Sequence, residues 1–142
     1  MHGRRLQFEN MKNHKYLLDA NAVLRFLLKD NEIQYQRVFN AIQKENCYVN
    51  LEVMAEVCYV LEGLYGVSRA DIVENLRKLN NVMTIYNVDI LMRGLEIFDK
   101  SPKLDFVDCL LYGYKLERGM DILTFDRKLQ KRLEEIELMG SD

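Results

Sequence analysis

Short runs of strand-forming residues alternate with longer stretches of helical period along nearly the whole chain, and this alternation limits the architecture more than any other feature. Lys15 to Leu18 is a short apolar strand, and Ala22, Val23, Phe26 and Leu27 then recur at helical spacing. Asn31 with Gln34 three residues later has the form of a capping box, followed by a stripe of Tyr35, Val38, Phe39 and Ile42 through about Lys44. Cys47 to Val49 reads as the second strand. From Leu51 a helix carries Val53, Val57, Val60, Leu61 and Leu64, closed by Gly63 and Gly66. Ser68 to Asp71 starts another, with Ile72, Leu76 and Leu79; Val82 to Ile85 is a third strand. Helices follow over Ile90 to Lys100, stopped by Ser101-Pro102, and over Phe106 to Glu117, ended by Arg118-Gly119. Ile122 to Phe125 is expected to be a fourth strand, before a last charged helix holding Leu129 and Leu133. Strands separated by helices predict an α/β fold, a parallel sheet with helices on both faces.

The 142 residues suit one domain with one core. Residues 14–142 are expected to form it, with residues 1–13 a frayed extension, since Met11 offers a second plausible start. A single proline and no low-complexity tract argue against a linker, and no run of ~18 apolar residues suggests a membrane span. A cytoplasmic protein is expected. Cys47, Cys58 and Cys109 have no CxxC spacing, and both histidines, His2 and His14, lie near the amino end. Zinc and disulfide frameworks therefore lack ligands, leaving buried free thiols. The net charge of -2 does not suggest a protein that holds nucleic acid by bulk electrostatics, and it leaves nucleic acid open as a transient substrate.

In open α/β sheets the functional crevice lies beyond the carboxyl ends of the strands, so acids placed just after strands matter most. Asp19 follows the first strand and Asp126 the expected fourth. Glu56 lies about one turn into the helix after strand two, between Val53 and Val60, where it interrupts an apolar stripe and would need a charge partner or a metal. Asp105 and Asp108 open a helix, Asp105 as a plausible N-cap, while the apolar Cys109-Leu110-Leu111 beside Asp108 suggests a carboxylate turned into the crevice. For Asp19 and Asp126 alone, a helix-capping role is equally available. Four clustered carboxylates repel unless protonated or bridged by a cation, and oxygen-only donors select a hard divalent ion, Mg²⁺ or Mn²⁺. Such an ion can sharpen a water nucleophile and offset charge on a phosphodiester.

The segments LLDANAVLRFL, NLEVMAEVCYVLE, LDFVDCLLYGYKLERG and ILTFDRKL, in this order over residues 15–134, make the chain resemble the PIN-domain ribonucleases, especially the VapC-like toxins of toxin-antitoxin pairs. The resemblance implies a Rossmann-like single domain and endonucleolytic cleavage of RNA. It implies Asp19, Glu56, Asp108 and Asp126 as catalytic ligands of Mg²⁺ or Mn²⁺, with Asn21, Thr124 and Asp105 supporting them. It also implies a homodimer and a small antitoxin covering the crevice. Arg25, Lys29, Arg127 and Lys128, with Lys131 and Arg132, are RNA-binding candidates by proximity to the motifs. The segment after Asp126, Arg127-Lys128-Leu129, lacks a further acid. A haloacid-dehalogenase-type phosphatase would need a second Asp where Asn21 stands, and a response-regulator receiver would need an acidic pair near strand one and a late lysine. The non-enzymatic alternative is an inactive PIN-like module that binds RNA or protein.

Overall fold

The computed structural model describes residues 14–140, and the expected extension over residues 1–13 lies outside them. Three strands, β1 (Lys15–Leu17), β2 (Asn46–Val49) and β3 (Thr84–Ile85), form a parallel sheet in the order β1-β2-β3. Tyr16 pairs with Cys47, Leu17 with Tyr48, and Val49 with Ile85. Parallel neighbours need crossovers, and the helices supply them. Helices α1 (Ala20–Leu28) and α2 (Glu32–Lys44) connect β1 to β2; α3 (Leu51–Gly63) and α4 (Arg69–Leu79) connect β2 to β3. Helices α5 (Val88–Lys100), α6 (Phe106–Arg118) and α7 (Arg127–Gly140) follow. The α/β single-domain fold read from the alternation is the one observed.

Cap chemistry sets many of these boundaries. Asn31 Oδ1 accepts the Gln34 N–H at 3.0 Å, Asn50 Oδ1 that of Val53 at 3.0 Å, and Ser68 Oγ that of Asp71 at 3.2 Å. Each satisfies one of the donors a helix start leaves without a partner. Along β2, Cys47 and Val49 are buried and face the core, while Asn46 and Tyr48 are half-buried. On the side shared with Tyr48 the sheet is covered less: Leu17 and Thr84 are exposed.

The core runs from Val49 and Met54 through Ile72 and Leu76 to Ile90, Leu95 and Phe98. Helices α5 and α6 make its closest helix pair, with Gly94 and Gly113 at the crossing and Phe98 edge-on to Phe106 at 5.3 Å between centroids. Arg69 fastens the end of α5. Its Nε donates to Glu62 Oε2 at 2.7 Å, and its Nη1 donates to the carbonyls of Phe98 and Ser101 at 3.2 and 3.1 Å. Those carbonyls belong to the helix end, where no intrahelical donor remains for them.

The expected strand over Ile122 to Phe125 is not formed; residues 119–126 lie outside regular secondary structure. Leu123 and Phe125 are 90% and 94% exposed, and Ile122 packs against the core from this segment without a strand face forming around it. Thr124 turns the backbone locally instead: its Oγ1 accepts the Asp126 N–H at 3.1 Å and its carbonyl accepts Gln130 Nε2 at 2.7 Å. Such side-chain and backbone bonds compete with a strand ladder.

All three cysteines are buried free thiols. Burial raises the pKa of Cys47 and Cys58 and pushes Cys109 up to about 12, so they stay neutral and pack as small apolar side chains. Among the described residues no helix is long and apolar enough to cross a membrane.

Candidate active site

The ends of β1 and β2 lie side by side, since the Leu18 N–H donates to the Tyr48 carbonyl at 2.9 Å. Asp19 follows immediately as the N-cap of α1, with Oδ1 accepting the Ala22 N–H at 2.8 Å. One oxygen thus holds the helix start while the exposed carboxylate keeps its other oxygen for a further ligand. Asn21, in the first turn of α1, is exposed.

Asp105 caps α6, its Oδ1 accepting the Asp108 N–H at 2.9 Å. That cap orients the first turn and with it Asp108, which is half-buried because Phe106, Cys109 and Leu110 on the same helix are held in the core. Asp126 caps α7 from the turn that Thr124 makes, its Oδ1 accepting the N–H groups of Lys128 and Leu129 at 2.9 and 3.2 Å. Buried Leu129 and Leu133 fix α7 against the body. Asp108 and Asp126 line one cavity of about 550 Å³ together with Lys103, Leu104, Lys128, Leu129, Lys131 and Arg132.

Three carboxylates meet here. Asp108 has its pKa raised to about 6, first by burial, then by the charge and hydrogen bonding of Asp105, and further by the charge of Asp126. A carboxyl held in this way is costly to ionise without a counter-charge. The donors are all oxygens, which suits a hard divalent ion. As the side chains stand, however, no set of three or more His, Cys, Asp or Glu among the described residues is arranged to hold a metal. Asp108 feels the charges of Asp105 and Asp126, while Asp19 and Glu56 neither contribute to its shift nor line its cavity.

Glu56 departs from its expected environment. The buried face of α3 is made by Leu51, Met54, Val57, Cys58 and Leu61, with Val53 and Val60 only half-buried and Glu56 exposed. The apolar stripe therefore passes beside Glu56, and its carboxylate is solvated without any need for a buried partner. Leu64, counted with the inner face, is likewise exposed, because α3 has already ended at Gly63.

The expected cations divide. Arg25 is largely buried and bonded to Asp30 at 3.0 Å, which takes it out of the pool of free surface charges. Lys29 caps α1 in the left-handed region and lies 5.5 Å from the centre of the Tyr35 ring. Arg127 is exposed, and Lys128 lines the cavity. Lys103 was missed, although its place in SPKLD, two residues before Asp105, put a cation next to the acidic helix start.

The raised Asp108 pKa has a consequence for stability. In the unfolded chain its pKa is near 3.8, so the folded state holds this proton more tightly. Its contribution is fully present below that value and is lost as pH rises through about 6. In chelator, Asp108→Asn is expected to gain stability relative to the native chain between pH 4 and 7, measured by urea unfolding; parallel curves would show that Asp108 titrates normally.

Among curated proteins and among solved structures, nothing matches the chain significantly. The sequence profile of the PIN domain does match, over residues 16–135, which is most of the chain, and the protein belongs to the PIN-domain family, a nuclease fold family that is generally metal-dependent.

Proposed function

We propose that the protein is an endoribonuclease dependent on Mg²⁺ or Mn²⁺, with Asp19, Glu56, Asp108 and Asp126 as its ligand set and Asn21, Thr124 and Asp105 in support. The observation that carries this reading is the gathering of Asp105, Asp108 and Asp126 beside a cavity rimmed by lysines. Like charges that raise the pKa of Asp108, next to cations suited to phosphate, form the environment a phosphodiester and a divalent ion would neutralise together.

Asp108 and Asp126 would hold the ion from the α6 and α7 starts, with Asp19 and Glu56 approaching from the ends of β1 and β2. When bound, the ion supplies a lowered water pKa and charge compensation at phosphorus. Asp105 keeps Asp108 in position through the backbone bond at 2.9 Å. Thr124 does the same for Asp126 through its amide at 3.1 Å. In the hydrolysis itself the water oxygen bonds to phosphorus and the bond to the departing sugar oxygen breaks. One water proton goes to that oxygen and the other to solvent.

The same reading makes the protein the toxin of a toxin-antitoxin pair, acting as a homodimer and held in check by a small protein partner. Exposed Tyr59, Leu64 and Phe125 are apolar surface that such contacts would cover. The test is RNA cleavage by the purified chain with Mg²⁺, with Mn²⁺ and with chelator, and its mass by light scattering. Cleavage only with metal, from a dimer, is expected. No cleavage with either ion would favour the inactive RNA- or protein-binding module, and a monomeric mass would remove the homodimer.

A further inference from the structure

The Asp126 carboxylate, capping α7 through the Lys128 and Leu129 amides, is the acid at this helix start. Yet among the described residues α7 is the helix held least closely by the rest of the fold. Buried Leu129 and Leu133, with half-buried Ile122 and Ile136, join it to the core. Apolar contact of this kind has no preferred direction, and a cavity of about 180 Å³ beside Leu133 leaves it incomplete. Packing alone therefore sets the place of Asp126 against Asp108 only loosely.

Lys115 on α6 supplies the missing direction. Its Nζ lies 3.2 Å from Asp121 Oδ1, before the Thr124 turn, and 3.2 Å from Glu137 Oε1, far along α7. Between those two points the chain is braced internally, since Gln130 Nε2 donates to the Thr124 carbonyl at 2.7 Å. Among the described residues no other side-chain hydrogen bond or ion pair ties residues 121–137 to the rest of the fold. The register puts this clasp on the faces that carry the acids. Lys115 stands two helical turns after Asp108 on α6, and Glu137 about three turns after Asp126. Both helices thus start at the carboxylates and are fastened again where Lys115 meets Glu137. Neither can turn or slide against the other without stretching that bond. The bonds to Glu137 and Asp121 also raise the Lys115 pKa, so the clasp keeps its charge.

Building on the nuclease reading, we propose that Lys115 is a positioning residue: by fastening α7 and the turn before it to α6, it sets the separation of Asp126 and Asp108 while touching neither substrate nor ion. Partly exposed ion pairs contribute little to stability. Loss of Lys115 is therefore expected to loosen α7 and weaken the ion site while the fold survives.

The test compares the native full chain with Lys115→Met, Lys115→Arg and a control, Lys78→Met, which breaks the exposed pair of Lys78 with Glu74 on α4. The first readout needs no metal. Amide exchange followed by nuclear magnetic resonance in EDTA should be severalfold faster in Lys115→Met at Leu133 and at Gln130, whose amide donates to the Asp126 carbonyl at 3.0 Å. Exchange in α5 should stay as it is, which separates loosening of α7 from general unfolding. Mn²⁺ affinity, followed by electron paramagnetic resonance at pH 7.5, should fall about tenfold, the scale lost when a group that orients metal ligands is removed. RNA cleavage should lose kcat by a similar factor while KM stays within about twofold. Lys115→Arg keeps the charge and should recover most of each loss, and Lys78→Met should match the native chain throughout. Native exchange in Lys115→Met, exchange raised equally in α5, or no recovery in Lys115→Arg would each overturn the proposal. If Lys115→Met does not fold, Asp121→Asn and Glu137→Gln each remove one arm of the clasp, and native exchange in both would overturn it as well. Mn²⁺ binding by the native chain with unchanged affinity in Lys115→Met would sink the clasp and leave the nuclease standing. Faster exchange in α7 of the variant, with neither Mn²⁺ binding nor cleavage by the native chain, would do the reverse.

Discussion

Asp108→Asn is expected to lower metal-dependent RNA cleavage at least about 100-fold, the scale seen when a preorganised electrostatic group is lost from an active site, while leaving the metal-free protein as stable as before or more so. The two effects have one cause. Asp108 is half-buried, with Asp105 and Asp126 close enough to raise its pKa to about 6. An amide there removes a carboxylate that the fold tolerates poorly and that a cation would need. Asp105→Ala should behave in the opposite way. It deletes the oxygen that accepts the Asp108 N–H, and losing such a cap costs about 1 kcal/mol. Unfolding would detect that loss, with cleavage reduced only severalfold. Cleavage by Asp108→Asn within threefold of the native chain would put the chemistry elsewhere.

Gly113→Ala is expected to be the most damaging single-methyl change in the body of the fold. A Cβ at Gly113 would lie 2.9 Å from the Ile90 carbonyl oxygen and 3.2 Å from Ile90 Cγ2. A carbonyl inside α5 cannot rotate away, so α5 and α6 would have to separate along their whole contact. Alanine favours a helix by about 1 kcal/mol over glycine, and this offsets part of the strain. Overpacking of this kind costs roughly 1–3 kcal/mol, enough to lower the melting temperature by several degrees. Gly94→Ala provides the contrast. Its new methyl would meet the end of the Leu110 side chain at 3.1 Å, which can turn aside, and the Cys109 carbonyl at an ordinary 3.5 Å. A melting temperature for Gly113→Ala equal to or above that of Gly94→Ala would contradict this account of the α5 and α6 contact.

Local chemistry made much of this fold legible in the sequence. Asn31, Ser68 and Asp105 announce helix starts because the capping oxygen and the amide it serves are three residues apart. Short apolar runs before Asp19 and Asn50 mark strands because their helices follow at once. What escaped depended on distant partners. Ile122 to Phe125 has strand-forming side chains, yet whether such a run pairs is decided by what covers it, and here Thr124 closes a turn instead. Glu56 looked buried because Val53 and Val60 flank it, but the burial of α3 is centred on Met54, Val57 and Cys58, one residue around the helix. Lys103 carried no periodic signal. Only the cavity enclosed between α7 and the start of α6 shows that it lies beside Asp108 and Asp126.

The central claim is that the acids gathered at the α6 and α7 starts hold a divalent cation, and Mn²⁺ binding followed by electron paramagnetic resonance tests it most directly. The account predicts saturable binding by the native chain at pH 7.5. That binding should weaken as pH falls through about 6, where Asp108 takes up its proton, and should be lost in Asp108→Asn. Equal binding by the native chain and the variant, or none by the native chain at any pH, would contradict it.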